Sequence, residues 1–349
     1  MQANVDFSLV RDEPLLKAGF VVAKQQFVLQ PYTFPTAEKI LADATPAKDK
    51  AGKYTQRVEV DSMVACYTMS AAGFSVTVSR QTGRLDYVDV DGKPMLQDGF
   101  SVTPNFWRAP TDNDYGARLQ QHFAVWKQPE MKLTRVSCEP DGAAQSIRVV
   151  YELPQVKAML FITYTLDVKG ELIVNQHLVA DKHAKKIPNM FRFGMQWVMP
   201  KEYAEVAYYG RGPIENYIDR NNSQRLGFYT QKVADQYWNY VRPQESGNKT
   251  DVRFWSVLNA AGKGLKFVAT GSMECSALNY LMEDLDDGPE KAATQHHSGD
   301  LTPRPFTVLQ IQGRQFGLAG VNSWGVWPRE EYRMEYKDYD FTYIVKAVR

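Results

Sequence analysis

Short runs of alternating apolar and polar residues, separated by turn residues, constrain the fold of this 349-residue chain more than any other feature. The run at 74–79 alternates cleanly, residues 81–84 turn the chain, and the run at 85–90 returns it. Asp91-Gly92 then gives the residue pair typical of a type I′ hairpin. Further strand patterns follow at 145–153, 158–166, 171–179, 252–258, 265–269 and 341–345. Short strands at this spacing predict an antiparallel β-sandwich or barrel.

Helical patterns are scarce by comparison. Only 115–127 and 233–240 suggest short helices, and residues 34–40 suggest a single helical turn. Strands do not alternate with long amphipathic helices, which excludes a (β/α)₈ barrel within this chain. The fold class predicted from these patterns is therefore all-β, a large antiparallel β-sandwich.

The strand patterns divide the chain into three parts. Residues 1–34 hold a few strand fragments, too few to close a domain, because isolated hairpins are marginal in water. Residues 35–57 predict a linker, since Ala44–Lys53 is small, charged and interrupted by proline and glycine. Residues 58–349 predict one large β-domain.

The composition argues against several partners. The 41 basic and 40 acidic residues nearly cancel, which gives no reason to expect nucleic acid or an anionic membrane as a partner. The sequence contains no run of 18 apolar residues, which is about the length needed to span a bilayer. The first residues lack the basic and apolar segments of a signal peptide, so either the chain is cytoplasmic or its natural N-terminus lies upstream. Three widely spaced cysteines predict neither a disulfide framework nor a cysteine-based zinc site.

One stretch near the middle concentrates polar chemistry. Residues 204–209 alternate as a half-buried strand, and Gly210-Arg-Gly-Pro213 is predicted to end it. The next few residues include Arg211, Glu215 and Asn216. Such polar side chains are expected at the junction between a rigid sheet and a functional loop. A structural hydrogen bond is the favoured role of Glu215, and contact with a ligand is the alternative.

Three sequence blocks, in order, resemble the large bacterial β-galactosidases of glycoside hydrolase family 2. Residues 210–220, Gly-Arg-Gly-Pro-Ile-Glu-Asn-Tyr-Ile-Asp-Arg, are similar to a block in the family's C-terminal domain. Residues 105–114 resemble its Arg-Ala-Pro-x-Asp-Asn-Asp block, and residues 320–324 resemble its Gly-x-(Asp/Asn)-Ser-Trp block. The resemblance covers about residue 60 to the C-terminus and, weakly, the start.

This resemblance implies a fold and a parent protein. The family's C-terminal domain is a two-sheet sandwich of the galactose mutarotase-like type, and a small immunoglobulin-like domain precedes it. Residues 1–34 resemble the last strands of that domain, so the chain is expected to begin inside it. The parent would hydrolyse terminal β-galactosides, lactose among them, with retention of configuration. It would be a bacterial protein of the cytoplasm or periplasm, and the resemblance leaves open a homo-oligomer.

The resemblance also implies that catalysis lies elsewhere. A retaining glycosidase needs two carboxyl groups about 5–5.5 Å apart. In the family both catalytic glutamates belong to a (β/α)₈ barrel that precedes this region, and that barrel would be this chain's main partner. No catalytic residue is therefore assigned here, and the chain alone is predicted to be inactive. Any magnesium or sodium that the parent needs would bind outside this chain, and no cofactor is expected within it.

Trp324 is the main candidate for contact with sugar. It follows a predicted strand and stands among glycines, where an indole is free to leave the core. In the family the matching tryptophan reaches the active site and forms part of the sugar platform. Asn322 shares its block, and Arg211, Glu215 and Asn216 are further substrate-binding candidates from the central block. The alternative is that Trp324 caps the core of the sandwich.

Asp112 and Asp114 are weak candidates for calcium ligands. Their spacing matches the start of an EF-hand loop, which also needs Glu at position 12, and Phe123 occupies that position. Asx-type turns and a helix N-cap explain these side chains better, with Arg108 paired to one of the aspartates. No metal site is therefore predicted.

Two other functions remain as alternatives. The chain could act alone as a carbohydrate-binding module, which affinity of the isolated chain for galactosides would favour. It could also be an independent epimerase of the mutarotase type, but neither the catalytic histidine nor the catalytic glutamate of those enzymes can be placed on this sequence.

Overall fold

The structure, a computed structural model, describes residues 1–290, 297–322 and 325–349. The chain divides into two compact units, Met1–Pro35 and Thr36–Arg349. The second unit contains the predicted linker together with the large β-domain. The assignment of residues 1–34, 35–57 and 58–349 to domains of a longer protein stays a prediction.

Strands dominate the described part of the chain. The strands are β1 Gln2–Ser8, β2 Val21–Val28, β3 Glu59–Ser62, β4 Cys66–Ala71, β5 Phe74–Ser79, β6 Leu85–Val90, β7 Lys93–Pro94, β8 Thr103–Asn105, β9 Lys132–Asp141, β10 Ala144–Leu153, β11 Ala158–Leu166, β12 Leu172–Ala180, β13 Arg192–Pro200, β14 Glu205–Gly212, β15 Arg225–Lys232, β16 Phe254–Leu258, β17 Gly264–Ala269, β18 Glu274–Leu278, β19 Phe306–Gln315 and β20 Tyr339–Val348. The helices are α1 Ala37–Ala44, α2 Asp112–Gly116, α3 Leu119–His122 and α4 Met282–Leu285, supplemented by short 3₁₀ turns.

The first unit is a two-stranded antiparallel hairpin of β1 and β2, in which Gln2 pairs with Val28. Its apolar side chains are largely exposed, including Phe7, Phe27 and Val28. Two strands provide too little surface to bury such side chains against each other.

A nine-stranded antiparallel sheet forms one layer of the second unit, in the order β15-β14-β16-β17-β20-β12-β11-β10-β9. Its strands alternate between buried and partly exposed residues. In β11, for example, Leu160, Ile162 and Tyr164 are buried while the residues between them are half-buried. This period of two gives the sheet one apolar face.

The other layer consists of a five-stranded sheet, β3-β4-β5-β6-β7, and a four-stranded sheet, β18-β19-β13-β8. A bridge between Leu85 and Val102 links the two sheets. Trp197 of β13 packs on Phe267 of β17 at 5.2 Å between ring centroids, and its indole donates to the Tyr343 hydroxyl. The layers therefore meet through an apolar core, and the prediction of an all-β, two-layer antiparallel sandwich is confirmed.

The local predictions succeed at turns more than at helices. Asp91 and Gly92 both have positive φ, as the predicted type I′ hairpin requires. The predicted helix at 115–127 is instead α2, α3 and a 3₁₀ turn, because Arg118 lies in the left-handed region and interrupts it. The predicted helix at 233–240 is only a 3₁₀ turn at Val233–Asp235. The helix does not continue to residue 240, since the backbone amide of Trp238 donates to the hydroxyl of Ser246 instead of to a helical carbonyl.

Two other local predictions need correction. α1 has eight residues rather than a single turn, and the Thr36 side chain caps its N-terminus. β14 continues past Gly210 and ends at Gly212, before Pro213. Gly210 therefore does not end the strand. A Cβ at this position would lie 3.1 Å from the Cα of Val252, so glycine here allows the two backbones to approach closely.

No helix in the described ranges is long and apolar enough to cross a membrane.

Candidate functional site

Arg211 lies at the end of β14, directly before the loop that follows, and its side chain bonds to residues distant in sequence. The Arg211 guanidinium pairs with Asp251 at 2.5 Å and donates to the Gln224 carbonyl at 2.9 Å. Asp251 follows Thr250, whose carbonyl accepts from the Arg211 amide at 3.0 Å. Arg211 therefore fixes the start of this loop against the segment around residue 250.

Glu215 is buried and surrounded by donors. Its carboxylate accepts from Arg220 Nη2 and from the Gly247 amide, each at 2.7 Å, and from the Tyr240 hydroxyl. Its side chain is 4% exposed, and these donors all come from the protein itself. In this arrangement Glu215 ties its own loop to the loop at 236–248.

Asn216 is completely buried, and both ends of its side-chain amide are used. Its Nδ2 donates to the carbonyls of Arg211 and Ile214, at 3.1 and 3.0 Å. Its Oδ1 accepts from the Thr250 amide at 3.0 Å and the Thr250 hydroxyl at 2.6 Å. Since every donor and acceptor of the side chain already has a partner, Asn216 holds two loops together.

Arg108 and Asp114 form a buried bidentate ion pair. The two nitrogen–oxygen distances are 3.0 and 2.8 Å, and both side chains are almost inaccessible to solvent. Asp114 also forms a capping box with Thr111 at the start of α2. The predicted pairing of Arg108 with an aspartate and the predicted N-cap are thus confirmed. The Asp114 carboxylate is committed to Arg108, whereas Asp112 is exposed.

Among the described residues, no group of three or more His, Cys, Asp or Glu side chains could hold a metal ion.

The block at 320–324 is described only in part. Asn322 is exposed, and its Oδ1 accepts from the Val326 amide at 3.4 Å. Trp324 lies outside the described residues. Trp327, three positions further on, is half-buried and packs edge-on against Phe123 at 5.6 Å between ring centroids.

The sequence analysis did not predict a buried polar layer on the face of the four-stranded sheet that points away from the nine-stranded sheet. We define the polar layer as the side chains of Asn105, Arg108, Asp114, Arg192, Glu245, Asn248, Glu274, Gln310, Gln312 and Gln315, all buried. The alternation Gln310-Ile-Gln312 within β19 was the available signal, because two polar residues at a period of two share one face. What this signal could not supply is the identity of the partners.

The partners come from a segment distant in sequence. Asn248 Nδ2 donates to Glu274 at 3.0 Å, and Asn248 Oδ1 accepts from Gln312 Nε2 at 3.0 Å. Glu245 pairs with Arg192 at 2.7 Å and accepts from Gln315 Nε2 at 3.0 Å. Lys249 exchanges backbone hydrogen bonds with Cys275 of β18. The segment around 245–249 therefore closes over the polar face of the sheet.

Two ionisable groups there have shifted pKa values. Burial raises the pKa of Glu274 to about 7, although the Asn248 amide and the nearby Arg192 and Arg314 charges oppose the shift. Burial lowers the pKa of Lys249 to about 8, although the Glu215 charge opposes this shift. The Lys249 ammonium donates to Gln236 Oε1 at 2.9 Å and to the Gly247 carbonyl at 3.0 Å.

Together, the two-layer sandwich and the loops fixed on one of its sheets define an all-β domain whose polar residues mainly join loops to the sheet. The sequence profile of the family described as "Beta galactosidase small chain" matches residues 70–345. This match covers more than half of the chain, and the chain belongs to that family.

Curated relatives of this chain are named β-galactosidase. The chain is 29% identical over 348 residues to a β-galactosidase of Priestia megaterium, covering 99% of this chain and 31% of the relative. It is 30% identical over 280 residues to a β-galactosidase of Halalkalibacterium halodurans, covering 79% of this chain and 27% of the relative. The chain thus spans less than a third of these relatives.

Solved structures show weaker likeness. A galactose mutarotase related enzyme from Lactobacillus acidophilus aligns with 81% of this chain and 97% of its own, at a TM-score of 0.44 and 9% identity. An α-galactosidase from Geobacillus stearothermophilus aligns with 84% of this chain and 41% of its own, at a TM-score of 0.44 and 6% identity. Both TM-scores lie below 0.5, so the fold assignment rests on the strands of this chain alone.

Proposed function

We propose that this chain is the C-terminal, non-catalytic part of a retaining β-galactosidase of glycoside hydrolase family 2. The proposal rests on the comparison with Priestia megaterium. The alignment covers 99% of this chain but only 31% of the relative, which is named β-galactosidase. Most of that relative therefore lies outside the matched region. In the proposal the missing part contains the barrel with both catalytic glutamates, and the whole protein hydrolyses terminal β-galactosides.

The ion pairs of three buried carboxylates support a scaffold role for these groups. Glu215, Glu245 and Asp114 each pair with an arginine, Arg220, Arg192 and Arg108 respectively. A nucleophile must be free to attack the anomeric carbon, and an acid must hold a proton for the leaving group. Carboxylates already bound to guanidinium groups in the interior serve neither purpose, so we assign them to the scaffold.

Contact with the sugar is proposed for Trp324, with Asn322 beside it. An indole face matches the C–H face of a pyranose and buries a large area at the cost of only two torsions. Arg211, Glu215 and Asn216 would shape the neighbouring loop, since their side chains hold it against the segment at 247–251. This chain would thus contribute a scaffold and one aromatic wall to a site completed by the barrel.

The experiment compares the isolated chain with the full-length parent. The isolated chain should not hydrolyse a nitrophenyl β-galactoside, whereas the parent should. Turnover by the highly purified chain that disappears in Glu215→Gln would contradict the proposal. Saturable galactoside binding at Trp324 by the isolated chain would favour a stand-alone binding module, and faster interconversion of galactose anomers would favour an epimerase.

Trp324→Ala in the parent tests the aromatic wall. Substrate binding should weaken by roughly 1–3 kcal/mol, the scale of a buried aromatic contact, with little change in unfolding free energy. Trp126→Ala is the matched control, because Trp126 is fully buried and its loss should cost about 3–5 kcal/mol of stability. A melting temperature that collapses in Trp324→Ala while KM stays unchanged would identify Trp324 as a core residue instead.

Metal dependence provides a separate test. We place any magnesium or sodium site in the part of the parent outside this chain. Chelation of magnesium should then lower the activity of a magnesium-dependent parent and leave the melting temperature of the isolated chain unchanged. A chelator-induced loss of stability in the isolated chain, reversed by magnesium or calcium, would direct attention back to Asp112 and Asp114.

A further inference from the structure

A second candidate site lies away from the loops that follow β14. It is a cleft of about 370 Å³ at the junction of β13, β19 and the start of β20. This volume falls within the range of roughly 300–1,000 Å³ typical of small-molecule pockets. Its described lining does not include Asn322, Arg211, Glu215 or Asn216.

Aromatic rings form part of the cleft wall. The rings of Phe193 and Tyr339 lie 5.4 Å apart between centroids, and Phe341 lies beside them in the lining. Gly313 faces Phe341, since a Cβ at 313 would lie 2.9 Å from the ring. Any larger residue would have to displace the Phe341 ring, so glycine preserves this part of the wall.

Arg314 brings an unbalanced donor to the cleft. Its Nε is buried and has no hydrogen-bond partner among the described residues. Its Nη2 donates to a neutral acceptor, the backbone carbonyl oxygen of Glu331. A buried donor without a partner is costly, which makes it a good contact for a ligand oxygen.

Asp340 also belongs to the lining of the cleft, and its carboxylate is turned toward β12. It accepts from Asn175 Nδ2 at 3.1 Å and lies 3.1 Å from His177 Nδ1. Both partners lie on β12, which fixes the position of the carboxylate. Thr270, Ser272 and Thr342 also line the cleft. The Thr270 hydroxyl donates to the Thr342 carbonyl, and the Thr342 hydroxyl accepts from Asn175 Nδ2.

We propose that this cleft binds a neutral saccharide, a single pyranose unit. A ligand here meets the Arg314 guanidinium, which only donates, and the Ser272 hydroxyl, which donates and accepts. A polyol satisfies both of them without bringing a net charge. The ring C–H groups of a pyranose supply the apolar surface for Tyr339 and Phe341. This proposal goes beyond the proposed function, because it requires neither a barrel nor catalysis.

Gly271 permits a test that leaves the fold intact. It lines the cleft, its φ is not in the left-handed region, and a Cβ there would meet no atom within 4 Å. Gly271→Leu should therefore obstruct the cleft without a clash. Gly299→Leu is the matched control, because Gly299 has the same open surroundings and does not line the cleft. Arg314→Gln removes the unpartnered donor while keeping a polar side chain.

The experiment is titration calorimetry of the 349-residue chain with methyl β-galactoside and methyl β-glucoside, with melting temperatures measured in parallel. We expect saturable binding that weakens by about tenfold or more, about 1.4 kcal/mol, in Gly271→Leu and Arg314→Gln. Gly299→Leu should bind as the unaltered chain does.

The alternative outcomes each contradict the proposal. Absence of saturable binding to either glycoside overturns it, as does unchanged affinity in a folded Gly271→Leu. Competition by inorganic phosphate would identify an anion site instead. If Trp324→Ala abolishes binding and Gly271→Leu retains it, the sugar binds at the site of the proposed function and the cleft proposal fails. The proposed function fails independently, through activity assays of the parent.

Discussion

The two faces of the four-stranded sheet are buried by different means. Trp197, Leu309 and Ile311 point toward the nine-stranded sheet and pack in its apolar core. Gln310, Gln312 and Glu274, on the same strands, point the other way into the polar layer. Apolar burial is non-directional and tolerates small changes in shape. The polar layer depends on directional bonds from distant segments, so the loss of one partner leaves others unsatisfied.

The largest expected effect is in the polar layer. Arg108→Ala leaves the Asp114 carboxylate buried without its partner and removes donors to the carbonyls of Phe316 and Gly317. Removing one member of a buried ion pair should cost about 3–5 kcal/mol of unfolding free energy, measured by denaturant titration. Arg148→Ala is the control, because its ion pair with Glu139 is exposed and should contribute about 0–1 kcal/mol. Similar losses of unfolding free energy in Arg108→Ala and Arg148→Ala would contradict the idea that the polar layer depends on its buried partners.

A pH titration of stability tests Glu274 next. Its folded pKa of about 7 lies above its ordinary value of 4.5, so the folded state holds the extra proton between these values. Unfolding free energy should therefore fall as pH rises through this window, by about 3 kcal/mol in total above pH 7. Glu274→Gln should remove this contribution and be flatter between pH 4.5 and 7.

The control for that titration is Glu152→Gln, since Glu152 is an exposed glutamate of β10. Its pH profile should follow that of the unaltered chain. A Glu274→Gln profile parallel to the unaltered one would show that burial of Glu274 does not penalise its charged form.

The smallest expected effect is in the apolar core. Ile147 is fully buried in β10, and Ile147→Val removes one methylene without changing its polarity. The loss should be about 0.5–1.5 kcal/mol by denaturant unfolding. Ile214→Val, on a side chain that is 47% exposed, should change stability by less. An Ile147→Val loss as large as that of Arg108→Ala would remove the distinction between the apolar core and the polar layer.

Several elements were predictable because their causes are local. Asp91-Gly92 specifies a type I′ turn through the backbone freedom of its own two residues. Thr111 and Asp114 form a capping box three residues apart, and Arg108 reaches Asp114 over only six positions. The alternation in β11 likewise gave its buried face. Each of these features depends on neighbours along the chain.

Elements that depend on distant partners were predicted less well. The pattern at 115–127 suggested one helix, yet Arg118 takes a left-handed conformation that divides it. Gly210 was read as a strand end, whereas its role is to admit Val252. The sequence of the central block indicates polar chemistry, but only the structure shows that Glu215 accepts from the amide of Gly247, 32 residues away.

By itself, the sequence determined the all-β class, the main strands and turns and the family, because hydrophobic period, turn chemistry and motif order are properties of the linear chain. Only the tertiary structure decided which polar groups become partners. It brought Asn248 between Gln312 and Glu274 and placed Glu245 against Arg192. Hydrogen bonds require distances near 3 Å and defined angles, and between residues far apart in sequence these arise only when the sheets and loops have packed.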